Sequence, residues 1–289
     1  MSNKEIDKIS GTETTGHEWD GIKELNTPLP RWWLWTFYAT IIWAIGYAIW
    51  YPAIPLSNSA TPGIGGYSSR AEVAKELAAA EAAKGDMFAK IASSDVSAIL
   101  ENEELSRFAV AGGKSAFKVY CSQCHGSGAQ GAVGYPNLND DDWLWGGTID
   151  EIFATINHGV RYAGNDDTRT SEMPAFGRDE LLDKDQIDQV TNHVLALAGL
   201  ENDAAKAAGG AAVYGDNCAA CHGEDAKGDQ ALGAPNLADS IWLNGNGADA
   251  IAAQVSNPKH GVMPAWGARL GEPTVKQLAV YVHSLGGGL

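Results

Sequence analysis

The sequence predicts a mostly α-helical chain, with one membrane-spanning helix near the N-terminus and then two tandem copies of a small helical domain. Three observations predict this. Residues 32–51 contain no charged side chain. The stretch GKSAFKVYCSQCHG (113–126) returns as GAAVYGDNCAACHG (210–223), and later motifs return behind it. Both copies then end in a segment whose apolar residues recur at helical spacing.

The first 31 residues are mostly polar, and residues 1–16 carry no pattern, so they are expected to lack structure. WWLWTFYATIIWAIGYAIWY (32–51) follows. Twenty helical residues rise about 30 Å, the thickness of a bilayer's hydrocarbon core. Trp32, Trp33, Trp35, Trp50 and Tyr51 lie towards its ends, where amphipathic rings favour the headgroup level. The run is longer than a signal-peptide core and starts too late to be one. Lys4, Lys8, Lys23 and Arg31 precede it, and the next basic residue is Arg70. The positive-inside rule then predicts a cytoplasmic N-terminus and an external remainder.

The whole chain of 289 residues has a formal net charge of -16, and -14 of that falls after residue 51. Such a charge excludes nucleic acid as a natural partner and favours a basic protein partner. YPAIPLSNSATPGIGG (51–66) reads as a linker. Residues 71–92, rich in Ala, Glu and Lys, predict a helix with little to bury.

The repeat fills the rest. PNLNDDDWLWG (136–146) matches PNLADSIWLNG (235–245), and MPAFG (173–177) matches MPAWG (263–267). A Leu follows each Met by 22 residues, at Leu195 and Leu285. Each copy is expected to open with a helix into its Cys pair and to close on its own last helix. The boundaries read 1–31 for the cytoplasmic segment, 32–51 for the span, 52–105 for a linker with a helical stretch, and 106–200 and 201–289 for the two domains. The main difference between copies is an insertion around RYAGNDDTRTSE, just before the first MPAFG.

The four cysteines, Cys121, Cys124, Cys218 and Cys221, fall in CSQCH and CAACH. A four-cysteine zinc site draws its pairs from one short module, whereas these pairs lie 97 residues apart. A thioredoxin-like dithiol needs a βαβ setting, and the sequence before each pair is helical. Cys-x-x-Cys-His is the signature of covalent haem attachment, with the thiols on two vinyl groups and the imidazole on the iron. Two covalently bound haem c groups are therefore expected, on His125 and His222.

Of the four methionines, Met173 and Met263 both sit in the repeated MPA[FW]G loop and are the candidate sixth ligands. The Pro after each restricts the backbone and helps present a thioether from a loop. His158, His260, His193 and His283 are rivals, so bis-His ligation of one haem stays open. A Met sulfur is a weak donor that raises the reduction potential relative to a second His. A six-coordinate iron leaves one-electron transfer as the chemistry, with no catalytic side chain required. Tyr135, Pro136, Trp143, Trp145, Pro235 and Trp242 are expected to line or cover the haems, and Asp140–Asp142 to form a solvated turn.

HEWDGIKELNTPLPRWW (17–33), one span and two Cys-x-x-Cys-His domains together resemble the dihaem subunit III of cbb3-type cytochrome c oxidases, the CcoP or FixP family. The resemblance covers nearly the whole chain, and the juxtamembrane stretch is its specific part. It implies tandem class I cytochrome c domains on a single-pass anchor in a bacterial inner membrane, with the haem domains periplasmic. It also implies a non-catalytic electron-transfer role. Single electrons would pass from a basic soluble or membrane-tethered cytochrome c towards the oxygen-reducing, proton-pumping haem-copper subunit, with a monohaem cytochrome c subunit in the same complex. The family pattern pairs His125 with Met173 and His222 with Met263. A free-standing tethered dihaem shuttle fits the haem motifs equally well. A dihaem cytochrome c peroxidase fits less well, because two Met ligands leave no iron open to peroxide. A haem sensor would need an output module larger than the N-terminal segment.

Overall fold

A computed structural model describes residues 5–287. The chain divides into two compact units, one ending at Glu81 and the other beginning at Ala82.

The first unit opens with a β-hairpin, β1 (Thr14–Trp19) against antiparallel β2 (Ile22–Leu25). The turn is Asp20–Gly21, both at positive φ, which matches the right-handed twist of the strands. The expectation of a structureless leader is corrected from residue 5 onward. Ile6 bridges to Glu13, and the buried Thr14 accepts from the Glu5 amide through Oγ1. Helix α1 (Arg31–Trp50) follows Pro30 and buries none of its side chains. It is long and apolar enough to cross a membrane. The returning loop donates from Ile64 N to Ile49 O and from Gly65 N to Trp50 O, which satisfies carbonyls that a helix end leaves open.

Helix α2 (Ser69–Ser93) runs across the division between the units. Its C-terminal end is not the surface helix predicted from composition. Ile91 is fully buried and Met87 packs beside it. Short α3 (Val96–Glu101) adds Val96 and Ile99 to the same core. Lys276, far along the chain and buried, donates from Nζ to Ala92 O at 3.2 Å and Ser94 O at 2.8 Å. A cation thus closes the carbonyl end of α2.

Two cores fill the second unit. Helix α4 (Glu103–Tyr120) is capped by the Asn102 side chain on Leu105 N. It runs into α5 (Ser122–His125), the first Cys-x-x-Cys-His turn. Helix α6 (Ile149–His158) begins in a Thr148–Glu151 capping box and α7 (Lys184–Leu197) in an Asp183–Gln186 box. Helix α8 (Ala204–Asn217) starts at Asp203, whose carboxylate accepts from Ala205 N and Lys206 N. It leads to α9 (Ala219–His222), the second such turn. Helix α10 (Ala248–Ser256), short α11 (Gly267–Leu270) and α12 (Glu272–His283) complete the fold.

The cores do not follow the repeat boundaries. Core one joins α3, α4 and α6 to α12 through Ile99, Phe117, Ile152, Val275 and Leu278. Core two joins α7, α8 and α10 through Val190, Val194, Tyr214, Ile251 and Val255. The opening helix of the first copy therefore closes on the last helix of the second. The closing helix of the first copy packs on the opening helix of the second. This corrects the expectation that each copy closes on its own last helix. The connection Ala198–Asp203 is short, and buried Asn192 of α7 accepts the Asp203 amide at 2.8 Å. A connection this short makes α7 and α8 antiparallel neighbours. Core two is thus one contiguous stretch inserted within core one, its order circularly permuted.

Glycines mark both crossings. A Cβ at Gly113 of α4 would run into the Gln277 carbonyl of α12. A Cβ at Gly210 of α8 would run into the Gln189 carbonyl of α7.

Candidate haem clefts

Each Cys-x-x-Cys-His turn opens onto a cleft. Both clefts are open to solvent, and cleft two is the larger of the pair. Cys121, Cys124 and His125 line the first, and Cys218, Cys221 and His222 the second.

The histidines are held alike. His125 Nδ1 lies 3.0 Å from Pro136 O, and His222 Nδ1 lies 3.0 Å from Pro235 O. A carbonyl oxygen only accepts, so Nδ1 carries the proton in both and Nε2 keeps its lone pair. Burial holds both imidazoles below the ordinary histidine range, although the Pro carbonyl bond pulls the other way. A neutral ring with one nitrogen tied to a carbonyl is how a metal-ligating histidine is oriented.

The methionines are crossed. Met263 lines cleft one with His125, and Met173 lines cleft two with His222. The pairing of His125 with Met173 and His222 with Met263 is therefore corrected. The cause is the exchange of closing helices, since each MPA loop travels with the helix behind it. Val160, from the first copy, exchanges two backbone hydrogen bonds with Met263, at 2.9 and 3.0 Å, and Ile156 O accepts from Trp266 N at 3.0 Å. Gly159 is at positive φ, and a Cβ there would strike the Met263 carbonyl, so only glycine fits beside this loop. On the other side, Ser256 O accepts from both Gly177 N and Arg178 N behind MPAFG.

Three of the rival histidines make other contacts. His260 Nε2 accepts from the Met173 amide at 3.0 Å, so it positions that loop. His193 Nδ1 donates to Ala207 O at 3.2 Å, and its ring packs 5.3 Å from Tyr214. His158 Nε2 lies 3.0 Å from Asn157 Nδ2. Neither His193 nor His283 is among the cleft-lining residues.

Tyr135, Pro136, Trp143 and Trp145 line cleft one, and Pro235 and Trp242 line cleft two. Trp143 Nε1 donates to Gly287 O. The equivalent Trp242 Nε1 is buried without an acceptor. An orphaned N–H on a cleft wall fits an acceptor delivered by a bound group, such as a porphyrin carboxylate. The thiols fit covalent attachment better than a redox dithiol. Burial, and then the neighbouring cysteine, push Cys121 and Cys218 up to about 11, whereas a dithiol nucleophile needs a lowered value. The residues present therefore fit a haem in each cleft.

Asp142 departs from the solvated-turn reading. It is half-buried and lines both clefts, and its carboxyl is pushed up to about 6 by burial, then by Asp239, Asp140 and Asp141. His260, a rival ligand in the sequence, instead holds the Met173 loop across 87 residues, and Arg161, which lines both clefts, is a site residue the sequence did not single out.

Comparison with known proteins gives the family. Residues 11–58 match the family model described as the N-terminal domain of cytochrome oxidase-cbb3, FixP. Residues 108–194 and 205–282 match the model for cytochrome c oxidase, cbb3-type, subunit III. The chain belongs to the cbb3-type cytochrome c oxidase subunit III family. It is 59% identical over 286 residues to the cbb3-type cytochrome c oxidase subunit FixP of Rhizobium meliloti (strain 1021), covering 99% of this chain and 98% of the relative. It is 52% identical over 275 residues to subunit CcoP of Cereibacter sphaeroides, covering 95% of each. Membership in this family implies c-type haem, and the mostly helical fold with its apolar N-terminal helix is the one expected of it.

Proposed function

We propose that this chain is the dihaem electron-transfer subunit of a cbb3-type cytochrome c oxidase. In this reading α1 anchors it in a bacterial inner membrane, with the N-terminus cytoplasmic and the clefts periplasmic. The observation that carries the reading is the duplicated site: two clefts, each with a Cys-x-x-Cys-His turn, a histidine tied to a Pro carbonyl and a methionine from an MPA loop. A haem c held in each cleft supplies one-electron transfer.

The chain's own residues account for the rest. Cys121 and Cys124, and Cys218 and Cys221, would hold the group covalently. His125 and His222 would offer Nε2 to its iron, and Met263 and Met173 a weak thioether donor. The apolar cleft walls exclude water, which favours a small reorganisation on electron gain or loss. No group need give or take a proton. The acidic exterior attracts a basic donor cytochrome c, at a rate that falls as salt rises. Delivery runs towards the haem-copper subunit that reduces oxygen and pumps protons, in a complex that also carries a monohaem cytochrome c subunit.

Gentle detergent solubilisation of native membranes tests this reading. The chain is expected to co-purify with a copper-containing catalytic subunit and to carry two haems per polypeptide by pyridine haemochrome assay. Recovery of the dihaem chain alone under those conditions would assign it instead to a free-standing shuttle.

A further inference from the structure

The twelve residues Arg161–Glu172 separate HGV (158–160) from MPAFG in the first copy, whereas in the second copy HGV (260–262) runs straight into MPAWG. Arg161 therefore has no counterpart, since Met263 itself occupies the matching place. Its backbone sits at φ 50, and its amide donates to Arg169 O at 2.8 Å.

That side chain reaches the wall common to the two clefts. Tyr135, Asn137, Leu144, Leu243 and Gly261 line both clefts, and Arg161 is the basic residue among the shared ones. Its Nε donates to Gly261 O at 2.9 Å and its Nη1 to Ser171 O at 2.8 Å. Gly261 lies two residues before Met263, and Ser171 lies two residues before Met173. One guanidinium is thus fixed between the two methionine loops by rigid backbone acceptors. Two of its five N–H groups are used in this way, and the others remain to meet a ligand. Three carboxylates, Asp140, Asp142 and Glu172, also lie on these walls, and Glu172 acts on the guanidinium electrostatically. The cation is half-buried, where salt screens it weakly.

We propose that Arg161 is a shared electrostatic anchor for the carboxylates of the groups bound in both clefts, and that its single charge raises the reduction potentials of the two sites together. This rests on the dihaem reading above. A fixed positive charge near two redox centres disfavours the oxidised state of each, and it does so most where water is excluded. Arg161 is a positioning and tuning residue in this account and not a ligand.

The test uses the full-length, detergent-solubilised chain. Haem content is counted first: a wild-type chain without two covalent haems would sink the dihaem reading itself, whatever Arg161 does. Optical redox titration of wild type, Arg161→Gln and Arg161→Lys then follows, at low and high salt. Both midpoint potentials are expected to fall in Arg161→Gln, to stay near wild type in Arg161→Lys, and to keep that difference at high salt. A shift at one haem only, no shift at either, or an equal fall in Arg161→Lys overturns the proposal. Should Arg161→Gln fail to load haem, Arg161→Lys decides alone: retained potentials support the shared charge, and lowered potentials overturn it. If neither variant loads haem, Arg161 serves folding and the proposal is overturned.

Discussion

Helix α8 contains a steric experiment that reads out the crossed packing. Gly209, Gly210 and Gly215 all lie in this helix, so changing any of them to Ala brings the same gain in helix propensity, about 1 kcal/mol. Their surroundings differ. Nothing lies within 4 Å of a Cβ at Gly215. A Cβ at Gly209 meets only the Gln189 side chain, at 3.2 Å, and that amide end can swing away. A Cβ at Gly210 meets the backbone carbonyl of Gln189 and the His193 Cβ, neither of which can rotate clear. Helices α7 and α8 must then part by on the order of an ångström, a misfit that costs about 1–3 kcal/mol or more in a packed seam. Gly215→Ala should therefore stabilise by up to about 1 kcal/mol, and Gly209→Ala should lie near zero. Gly210→Ala should destabilise by up to about 2 kcal/mol net, and so lie well below Gly215→Ala. Urea titrations followed by circular dichroism would rank the three. Gly210→Ala as benign as Gly215→Ala would refute the close approach of α7 and α8, and with it the architecture built on that hairpin.

Two further perturbations probe the walls and the end of α2. Lys276→Met removes the ammonium from Ala92 O, Ser94 O and Glu272, the last an ion pair of 2.8 Å. Relief of the buried charge offsets part of the loss, which leaves about 1–3 kcal/mol of destabilisation. Hydrogen exchange should quicken in residues 87–101, and unchanged protection there would rule out the cation as the lock. Asp142 has its folded-state value raised, from the ordinary 3.8 to about 6. Its favourable contribution is present below pH about 4 and is lost as pH rises through about 6. Asp142→Asn should therefore be more stable than wild type by about 1–2 kcal/mol above pH 7 after allowing for partial solvation, and the gap should close below pH 4. Thermal melts across that range that show a constant gap, or none, would contradict the burial argument.

Much of this fold is legible in the residues. The uncharged Trp-rich run becomes α1, and the twin Cys-x-x-Cys-His and MPA motifs become two equivalent clefts. The pairing of those motifs is not legible, because the copies carry matching surfaces. Gly113 and Gly210 are the same device, and α7 and α12 offer similar apolar stripes, so periodicity cannot tell which helix closes on which. The discriminating feature is the short Ala198–Asp203 connection, whose meaning depends on chain geometry and not on residue type. Asp20–Gly21 between Trp19 and Ile22 is a hairpin signal that was open to reading. Met87, Ile91, Val96 and Ile99 likewise carry core spacing at the end of an otherwise polar helix. Arg161 and His260 act through partners roughly a hundred residues away, and no local pattern announces such contacts.

The crossed methionines are the central claim, and a single-haem background tests them most directly. With Cys218→Ser and Cys221→Ser, only the CSQCH turn can hold haem covalently. In that protein Met263→Ala should open the remaining iron to carbon monoxide and lower its midpoint potential, while Met173→Ala should leave both unchanged. The reverse result, with Met173→Ala opening the haem on His125, would contradict the account.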